Sequence, residues 1–374
     1  MDRRQFLAIL AAASCRTALA AYGDAGGESA GPIAQSQQRS TAGSAESAES
    51  AGGMSAASPA SSASGASLAM HRDPDLQPFS SASVWNAGIG SGARWSRPED
   101  PDTLDLRAPS TWINAGEWSM PFYVGAATDP LVTVTCTDTL YPVSPQRIHM
   151  PAGAVPAMPV NGDRHMNFFD ETQPGLMWSY WGCSGNTETG FTAALGTVDH
   201  VCADLPGDYN FGIGTIRQWE LDAGAIHHAL RIVLPTSRTR SPGSTWTQGI
   251  PWPMSHEDYN GPTEYTGNVI FGSTIGIPAS IPLSSLGLTS GGLLLATALQ
   301  TYGAMLRDTA GADGPLLFFA EPSAEGSVVL AQMRSDLPKI QALLCVLRNQ
   351  SPGTVNGGGK PIAPTPLPLK PGLC

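Results

Sequence analysis

Short apolar runs separated by glycine and proline recur between residues 120 and 320. Residues 164–182 show this pattern most clearly, since Met166 and Phe168 alternate with His165 and Phe169. A period of two is typical of a strand, and the Pro-Gly pair within this segment predicts a hairpin turn. The strand-like runs are 122–124, 131–137, 165–169, 177–181, 191–195, 229–234 and 316–320.

Two segments have helical spacing instead. Leu295, Leu299, Tyr302 and Leu306 recur at steps of four, three and four, which places them on one face of a helix. A second apolar stripe predicts a helix over 336–348. Strands dominate the remainder, so we expect a mainly β protein: a jelly-roll or concanavalin-like β-sandwich with two or so peripheral helices.

Composition divides the 374 residues into four parts. The stretch after the first twenty residues is almost entirely Ser, Ala, Gly, Gln and Glu, and it cannot bury enough apolar surface to offset its ordering entropy. The predicted parts are a signal peptide (1–20), a disordered linker (21–71), a single β-sandwich domain with a catalytic or binding role (72–350) and a Gly/Pro-rich tail without fixed structure (351–374).

The N-terminus has the features of an export signal. Arg3 and Arg4 precede a short apolar run, and Ala18-Leu19-Ala20 offers a cleavage site, as in twin-arginine signals. Lipidation of Cys15, as a tether, is the alternative form of processing. No later stretch is long enough for a transmembrane helix. We therefore expect a periplasmic or extracellular protein.

Charge and motifs exclude several functions. The net charge of −11 repels nucleic-acid phosphates, and no cluster of Lys and Arg offsets it, so nucleic acid is not an expected partner. The predicted domain over 72–350 lacks G-x-S-x-G, H-E-x-x-H, a phosphate-binding loop and a dinucleotide fingerprint. We expect neither a cofactor nor a bound metal.

Disulfides are the default for cysteines in an oxidising compartment. The predicted pairs are Cys183–Cys202, across adjacent strands, and Cys345–Cys374, which would pin the tail onto a helix. Cys136 lies in an apolar strand-like run and is predicted to be a buried thiol.

The first cluster of candidate catalytic residues lies in 163–170. Asp163 and His165 point to the same side of a strand, where a carboxylate can orient an imidazole base. Asp170 supplies a further carboxylate at the end of this strand. The structural alternative is a strand end with a turn Asp and a half-buried His.

Aromatic residues crowd the returning strand of the same hairpin. Trp178, Tyr180 and Trp181 are candidates for stacking against sugar rings. Trp178 and Trp181 face opposite sides of the sheet, so one of them belongs to the core.

Further candidates come from two later segments. His228 alternates with apolar residues at a strand start, where it is either a buried structural histidine or a ligand-binding group at the mouth of the sandwich. Arg231 follows it as a candidate substrate-binding residue. Tyr302 lies on the apolar stripe of the first helix, and Asp308 is predicted just beyond the end of that helix, where a carboxylate opposes the helix dipole.

Four segments resemble motifs of a family of secreted bacterial proteins. They are 78–86 (PFSSASVWN), 163–166 (DRHM), 225–230 (AIHHAL) and 298–304 (ALQTYGA) with Asp308, and together they span most of the folded region. The family is uncharacterised, and the resemblance implies a jelly-roll-like fold and action on extracellular polysaccharide. The chain departs from the family at Arg164, where Gly is usual, and in having Cys183 and Cys202.

The sequence leaves the reaction open. A glycoside hydrolase needs two carboxylates, and a polysaccharide lyase needs a base and a group that neutralises the substrate carboxylate. The candidates are Asp163, Asp170 and Asp308 for a hydrolase, and His165, His228, Tyr302 and Arg231 for a lyase. Because an acidic protein disfavours a polyanionic substrate, hydrolysis of a neutral or weakly charged glycan is favoured. A non-catalytic glycan-binding or cell-envelope protein is the alternative, and a metal-dependent enzyme is the weakest hypothesis.

Overall fold

The computed structural model describes residues 71–138 and 143–373. The predicted signal peptide and linker, and Cys15 within the signal, lie outside the described residues, apart from His71. The α-helices are α1 (Pro101–Arg107), α2 (Gln218–Ala223), α3 (Gly261–Glu264), α4 (Ser290–Thr301) and α5 (Val328–Gln341). The strands are β1 (Thr111–Asn114), β2 (Phe122–Gly125), β3 (Leu131–Cys136), β4 (Gln146–His149), β5 (Met166–Asp170), β6 (Leu176–Trp181), β7 (Ser184–Asn186), β8 (Gly190–Ala193), β9 (Leu195–His200), β10 (Leu230–Pro235), β11 (Thr239–Arg240), β12 (Val269–Ile270), β13 (Thr274–Gly276), β14 (Ala304–Ala310), β15 (Leu316–Phe319) and β16 (Cys345–Val346).

The largest sheet has six strands in the order β1-β15-β10-β14-β13-β16. Helices α4 and α5 cover one of its faces, where Leu299 and Leu337 share an apolar cluster with Ile232 and Leu306. The two helices approach closely at their N-terminal ends, because a Cβ atom on Gly291 would lie 2.3 Å from the carbonyl oxygen of Val329. This layer forms the main core.

Two four-stranded sheets complete the stack, with strand orders β2-β5-β6-β9 and β4-β3-β8-β7. The first of these sheets packs against other sheets on both of its faces. Phe169 and Met177 pack towards Met305 of the six-stranded sheet, whereas Phe168 and Trp178 pack on the other face against the last sheet. The order of layers is therefore helices, six-stranded sheet, and then two four-stranded sheets.

The protein is mainly β, as the sequence predicts, and each predicted strand-like run contains or overlaps a strand. The hairpin over 164–182 is confirmed, since β5 and β6 pair antiparallel. Many neighbours, however, pair in parallel, including β10 with β14 and β2 with β5. No helix among the described residues has the length and apolar character to cross a membrane.

Both helix predictions place their ends wrongly. Helix α4 ends at Thr301, and Asp308 lies inside strand β14 rather than beyond a helix end. Gly303, with φ of 76°, takes the left-handed conformation that separates the helix from the strand. The second helix runs over Val328–Gln341, so it begins eight residues earlier than 336 and is followed by β16.

The Gly/Pro-rich segment after residue 350 is packed onto the start of the domain, contrary to the prediction of a loose tail. The Asn356 side chain is fully buried, and its Nδ2 donates to the carbonyl oxygens of Val84 and Ala87 over 3.0 and 2.6 Å. The Arg72 backbone N–H donates to the carbonyl of Pro368 over 2.8 Å. This segment therefore belongs to the folded domain.

Both predicted disulfide pairs are wrong, because Cys183 and Cys345 are free thiols. Cys183 points into the core between the two four-stranded sheets, whereas Cys202 packs in the layer on the other side of β5 and β6. Cys345 lies beside Arg107, whose Nη2 is 3.5 Å from its Sγ. Cys374 lies outside the described residues.

Cys136 is a free thiol, as predicted, but it is only half-buried. It packs against the same apolar cluster as Cys183. Burial raises the pKa of both thiols, so neither is an activated nucleophile.

Candidate active site

A bulge in β14 brings a cation and a carboxylate together on the inner face of the six-stranded sheet. Ile232 pairs with Leu306, but Val233 pairs with Asp308, so Arg307 is an extra residue in β14. Without the bulge, strand alternation would turn Asp308 towards the helices. With it, Arg231 Nη2 donates to Asp308 Oδ2 over 2.6 Å.

The two partners differ in access to solvent. The Arg231 side chain is only 3% exposed, whereas that of Asp308 is 35% exposed. Arg231 Nη1 also donates to the carbonyl of Phe211 over 2.7 Å, which fixes the guanidinium group. Asp308 is thus a charge-paired carboxylate with one side open to a ligand.

Asp163 reaches the same place from the loop before β5. Its Oδ1 accepts a hydrogen bond from Trp181 Nε1 over 3.2 Å. Burial and, after it, the charge of Asp308 raise the pKa of Asp163 to about 6, although Trp181 and Arg231 act in the opposite direction. A carboxyl group of this kind holds its proton up to a higher pH than an ordinary aspartate does, which suits a general acid.

The loop that carries Asp163 has a strained point at the next residue. Arg164 has φ of 52°, a left-handed conformation that favours glycine. Arg164 is held there because its Nε donates to the carbonyl of Cys183 over 3.1 Å.

His165 lies beneath these groups and is almost fully buried. Burial and then the charge of Arg231 lower the pKa of His165 well below its usual range, so the ring is neutral. Its Nδ1 has no hydrogen-bond partner, and the ring packs against Phe211 at a centroid distance of 4.9 Å. Asp163 bonds to Trp181 instead of orienting this imidazole, which differs from the predicted base and partner.

A third carboxylate, which the sequence reasoning missed, is Asp258 in the loop before α3. Its Oδ2 accepts hydrogen bonds from Tyr265 over 2.5 Å and from Thr309 Oγ1 over 2.8 Å. The Thr309 backbone N–H in turn donates to Asp308 Oδ1 over 2.8 Å, so one residue bridges both carboxylates. Burial and the charge of Asp308 raise the pKa of Asp258 to about 6.

The same loop carries His256, which pairs with Asp208 of another loop. His256 Nδ1 is 3.0 Å from Asp208 Oδ2, and Ser255 donates to the same oxygen from its backbone N–H. Burial would raise the pKa of Asp208, but the hydrogen bonds from His256 and Ser255 outweigh it, and the pKa is lowered. Asp208 is therefore an ionised orienting group for His256.

Arg307, the extra residue of the bulge, anchors the loop that contains Asp208. Its guanidinium group donates to the carbonyls of Asn210, Gly207 and Asp208 over 3.1, 3.2 and 2.5 Å. Burial and the neighbouring Arg231 lower the pKa of Arg307 to about 10. The bulge therefore positions both Asp308 and the opposite wall of the site.

Three predicted catalytic residues lie elsewhere. Asp170 is at the far end of β5 from His165, where His149 Nδ1 is 3.1 Å from its Oδ2. His228 Nε2 is 3.0 Å from Glu220 Oε1, and its Nδ1 is 2.8 Å from the carbonyl of Ala229. These contacts make Asp170 and His228 structural groups.

Tyr302 is also remote from the carboxylates. Its hydroxyl is 3.4 Å from His227 Nδ1, and its ring packs in the layer that contains Trp85. Of the four candidates outside Asp163 and Asp170, His165 and Asp308 thus have Arg231 as a common neighbour, whereas His228 and Tyr302 make their contacts elsewhere.

The predicted sugar-stacking residues divide in a similar way. Trp178 and Tyr180 are fully buried between the two four-stranded sheets and form core. Trp181 faces the other way, is partly exposed and contacts Asp163. Because side chains alternate along β6, Trp178 lies in the core and Trp181 lies at the site, on opposite faces of the sheet as the sequence predicts.

The sequence contained a signal for part of what was missed. Residues 256–259 read His-Glu-Asp-Tyr, a titratable cluster without strand or helix periodicity. Nothing in local spacing shows that a loop at 258 meets a strand at 308. Only the fold supplies that contact.

Two chemical properties follow from this arrangement. Asp308, whose charge is balanced by Arg231, acts electrostatically on two carboxyl groups whose pKa values are raised to about 6. Carboxyl groups that lie close together in unlike environments are the usual pattern of acid and base catalysis. Within the described residues, no group of three or more His, Cys, Asp or Glu side chains is arranged to hold a metal ion.

The chain matches no family model, no curated protein and no solved structure. The role of the site therefore rests on its own geometry.

Proposed function

We propose that the protein is a glycoside hydrolase that cleaves an extracellular polysaccharide. The observation that carries this proposal is the pairing of Asp308, ion-paired to Arg231 over 2.6 Å, with Asp163, whose pKa is raised to about 6. Hydrolysis of a glycosidic bond needs one carboxyl group as an acid and one carboxylate as a nucleophile or base. The two aspartates have environments suited to these two tasks.

In this proposal Asp163 protonates the leaving oxygen, and Trp181 holds its carboxyl group in place. Asp308 acts from its exposed side, either on the sugar or on a water molecule, while Arg231 balances its charge. Asp258 reinforces the negative field at the site. That field disfavours a polyanionic chain, so a neutral or weakly charged glycan is the proposed substrate.

A polysaccharide lyase is the second candidate, because a neutral His165 lies near Arg231. The imidazole could act as the base, and the guanidinium group could neutralise a uronate. Arg231 is already paired with Asp308, however, and is nearly inaccessible. A glycan-binding protein without activity is the third candidate.

The assay uses purified protein and a panel of soluble neutral, amino-sugar and uronate polysaccharides. New reducing ends without the ultraviolet absorbance of an unsaturated uronate support hydrolysis, and their appearance with that absorbance indicates a lyase. Asp163→Asn and Asp308→Asn should lose the activity, whereas Asp222→Asn, an exposed carboxylate on α2, should keep it. No product from any polymer contradicts both enzymatic proposals.

Export by the twin-arginine route, to the periplasm or beyond, is the proposed localisation. It rests on the Arg3-Arg4 signal and on the Ser/Ala/Gly-rich composition of the linker. Replacing both arginines by Lys should leave the precursor in the cytoplasm, which fractionation and immunoblotting would detect. Normal export of that variant would refute the route.

That the strands are connected as in a jelly roll stays a prediction, based on the resemblance to the family of secreted proteins. Stacked sheets are compatible with a sandwich. The parallel pairing of β10 with β14 and of β2 with β5 is not typical of a jelly roll, whose strands run antiparallel.

A further inference from the structure

A row of aromatic rings runs beside the carboxylates. The centroid of Trp246 is 5.4 Å from that of His256, which is 4.5 Å from Tyr209. Tyr209 is 6.3 Å from Phe211, and Phe211 is 4.9 Å from His165. Five rings thus form an unbroken series.

Only the first ring of this row, His165, is buried. Phe211 and Tyr209 are partly exposed, and Trp246 is partly exposed at the other end. Tyr259 extends the row, with its ring 6.3 Å from Trp246 and 55% of its surface exposed. The row therefore leads from the floor of the site to the protein surface.

A series of polar groups leads from Trp181 to the loop that contains His256. Trp181 binds Asp163, the charge of Asp308 acts on Asp163 and on Asp258, and Asp258 is two residues from His256. Aromatic residues therefore accompany both carboxyl groups on which Asp308 acts. Trp181 hydrogen-bonds to Asp163, whereas Tyr259 follows Asp258 in the chain and packs against Trp246.

We propose that Trp246 and Tyr259 form an outer sugar-binding subsite, and that the enzyme cuts within glycan chains rather than at their ends. This inference rests on the proposed hydrolase function. Rings that accompany both Asp163 and Asp258 can hold sugar units on either side of the cleaved bond, as cleavage within a chain requires.

The chemistry of the outer subsite fits a sugar unit. The C–H faces of pyranose rings are flat and apolar, and they pack on exposed indole and phenol rings. The His256–Asp208 pair stands beside the same rings, and a fixed imidazole can exchange hydrogen bonds with sugar hydroxyls. Apolar surface with a few oriented polar groups is the usual composition of a ligand site.

Binding is measured first, in gels that contain a soluble polysaccharide, with the Asp308→Asn protein so that no chain is cleaved. Trp246→Ala and Tyr259→Ala in that background should each weaken the affinity for long chains about tenfold. The matched control is Trp112→Ala, since Trp112 is an exposed tryptophan on the edge strand β1. It should bind normally, and circular dichroism of all variants confirms folding.

The mode of cleavage is measured next with the active protein. Internal cleavage lowers the viscosity of the polymer well before many reducing ends appear, and Trp246→Ala should slow cleavage of long chains more than that of short oligosaccharides. If products come only from chain ends, or if Trp246→Ala and Tyr259→Ala bind like the control, the inference is wrong although hydrolysis stands. If no polymer is cleaved but Trp246→Ala still weakens binding, the hydrolase proposal fails and the subsite is retained. A protein that neither binds nor cleaves any polymer of the panel overturns both.

Discussion

Arg231 Nη2 donates to Asp308 Oδ2 over 2.6 Å because β14 carries one residue more than β10 between Leu306 and Asp308. The extra residue turns Asp308 from the helix-covered face to the inner face of the sheet. It also points Arg307 into the loop at 207–210. A single irregularity in one strand thus assembles the central ion pair of the site and its opposite wall.

Asp308→Asn should reduce turnover at least about 10³-fold, since the amide can act neither as a nucleophile nor as a base. The amide oxygen still accepts from Arg231, so unfolding should become easier by only about 1–2 kcal/mol. Steady-state kinetics and urea denaturation measure the two effects. Activity above about a tenth of that of the natural protein would remove Asp308 from the mechanism.

Activity should fall as pH rises above about 6, because Asp163 must carry a proton to act as the acid and its pKa is about 6. The loss should approach about tenfold per pH unit on this basic limb. The limb should vanish in Asp163→Asn, which lacks the titrating group and has only residual activity. A profile of the natural protein that stays flat from about pH 5 to about pH 8 would contradict this role.

Asp163 should make stability depend on pH in a defined direction. Its pKa is about 6 in the folded protein but about 4 in the unfolded chain, so the folded state binds the proton more tightly. The resulting stability is complete below about pH 4 and is lost as pH rises through 6. Asp163→Asn should therefore be more stable than the natural protein above about pH 7, by up to about 2 kcal/mol.

Chemical denaturation of both proteins at two pH values tests this difference. Asp222→Asn serves as the control, because its carboxylate is exposed on α2 and should change neither value. If Asp163→Asn and the natural protein are equally stable at high pH, the Asp163 carboxylate is in contact with water and its pKa is not raised by burial.

Arg307→Met should destabilise the protein by about 2–4 kcal/mol, because three carbonyl oxygens lose their donor while an apolar chain replaces the buried guanidinium group. Hydrogen exchange should accelerate in the loop at 207–210 before the rest of the domain opens. Arg240→Met, at an exposed position, is the control. Unchanged exchange in that loop would show that Arg307 does not anchor it.

Cys136, Cys183 and Cys345 should react with an alkylating reagent when the protein is unfolded without a reductant, because all three are free thiols. Peptide mass spectrometry assigns the modified residues. Recovery of a peptide that links Cys183 to Cys202 would contradict the fold, since the two side chains point into different layers.

The local part of the fold could be predicted from the sequence. Period two marked β5 and β6, and it placed Trp178 and Trp181 on opposite faces of the sheet. Leu306 misled the prediction because its spacing continues the stripe of α4, although Gly303 had already ended the helix. Apolar residues of a helix and of a following buried strand can coincide in spacing by chance.

The assembly of the site could be predicted only in part. The alternation of Asp163 with His165 put both near one face, and both lie beside Arg231. Asp258 was not predicted as a site residue because it lies in an irregular loop, where no periodicity indicates which way a side chain points. A bulge has no sequence signature of its own here, so the turn of Asp308 towards Arg231 could not be derived from spacing.

The two ends of the domain are joined to each other, which has a consequence for the order of folding. Arg72 pairs with Leu369, and Asn356 fills the turn at 84–87. These two segments lie far apart in the chain, so the first one stays unpaired until residue 369 has left the ribosome. Phe79 and Trp85 share an apolar cluster with Leu369, so chaperones that bind apolar side chains would find both residues accessible until that late step.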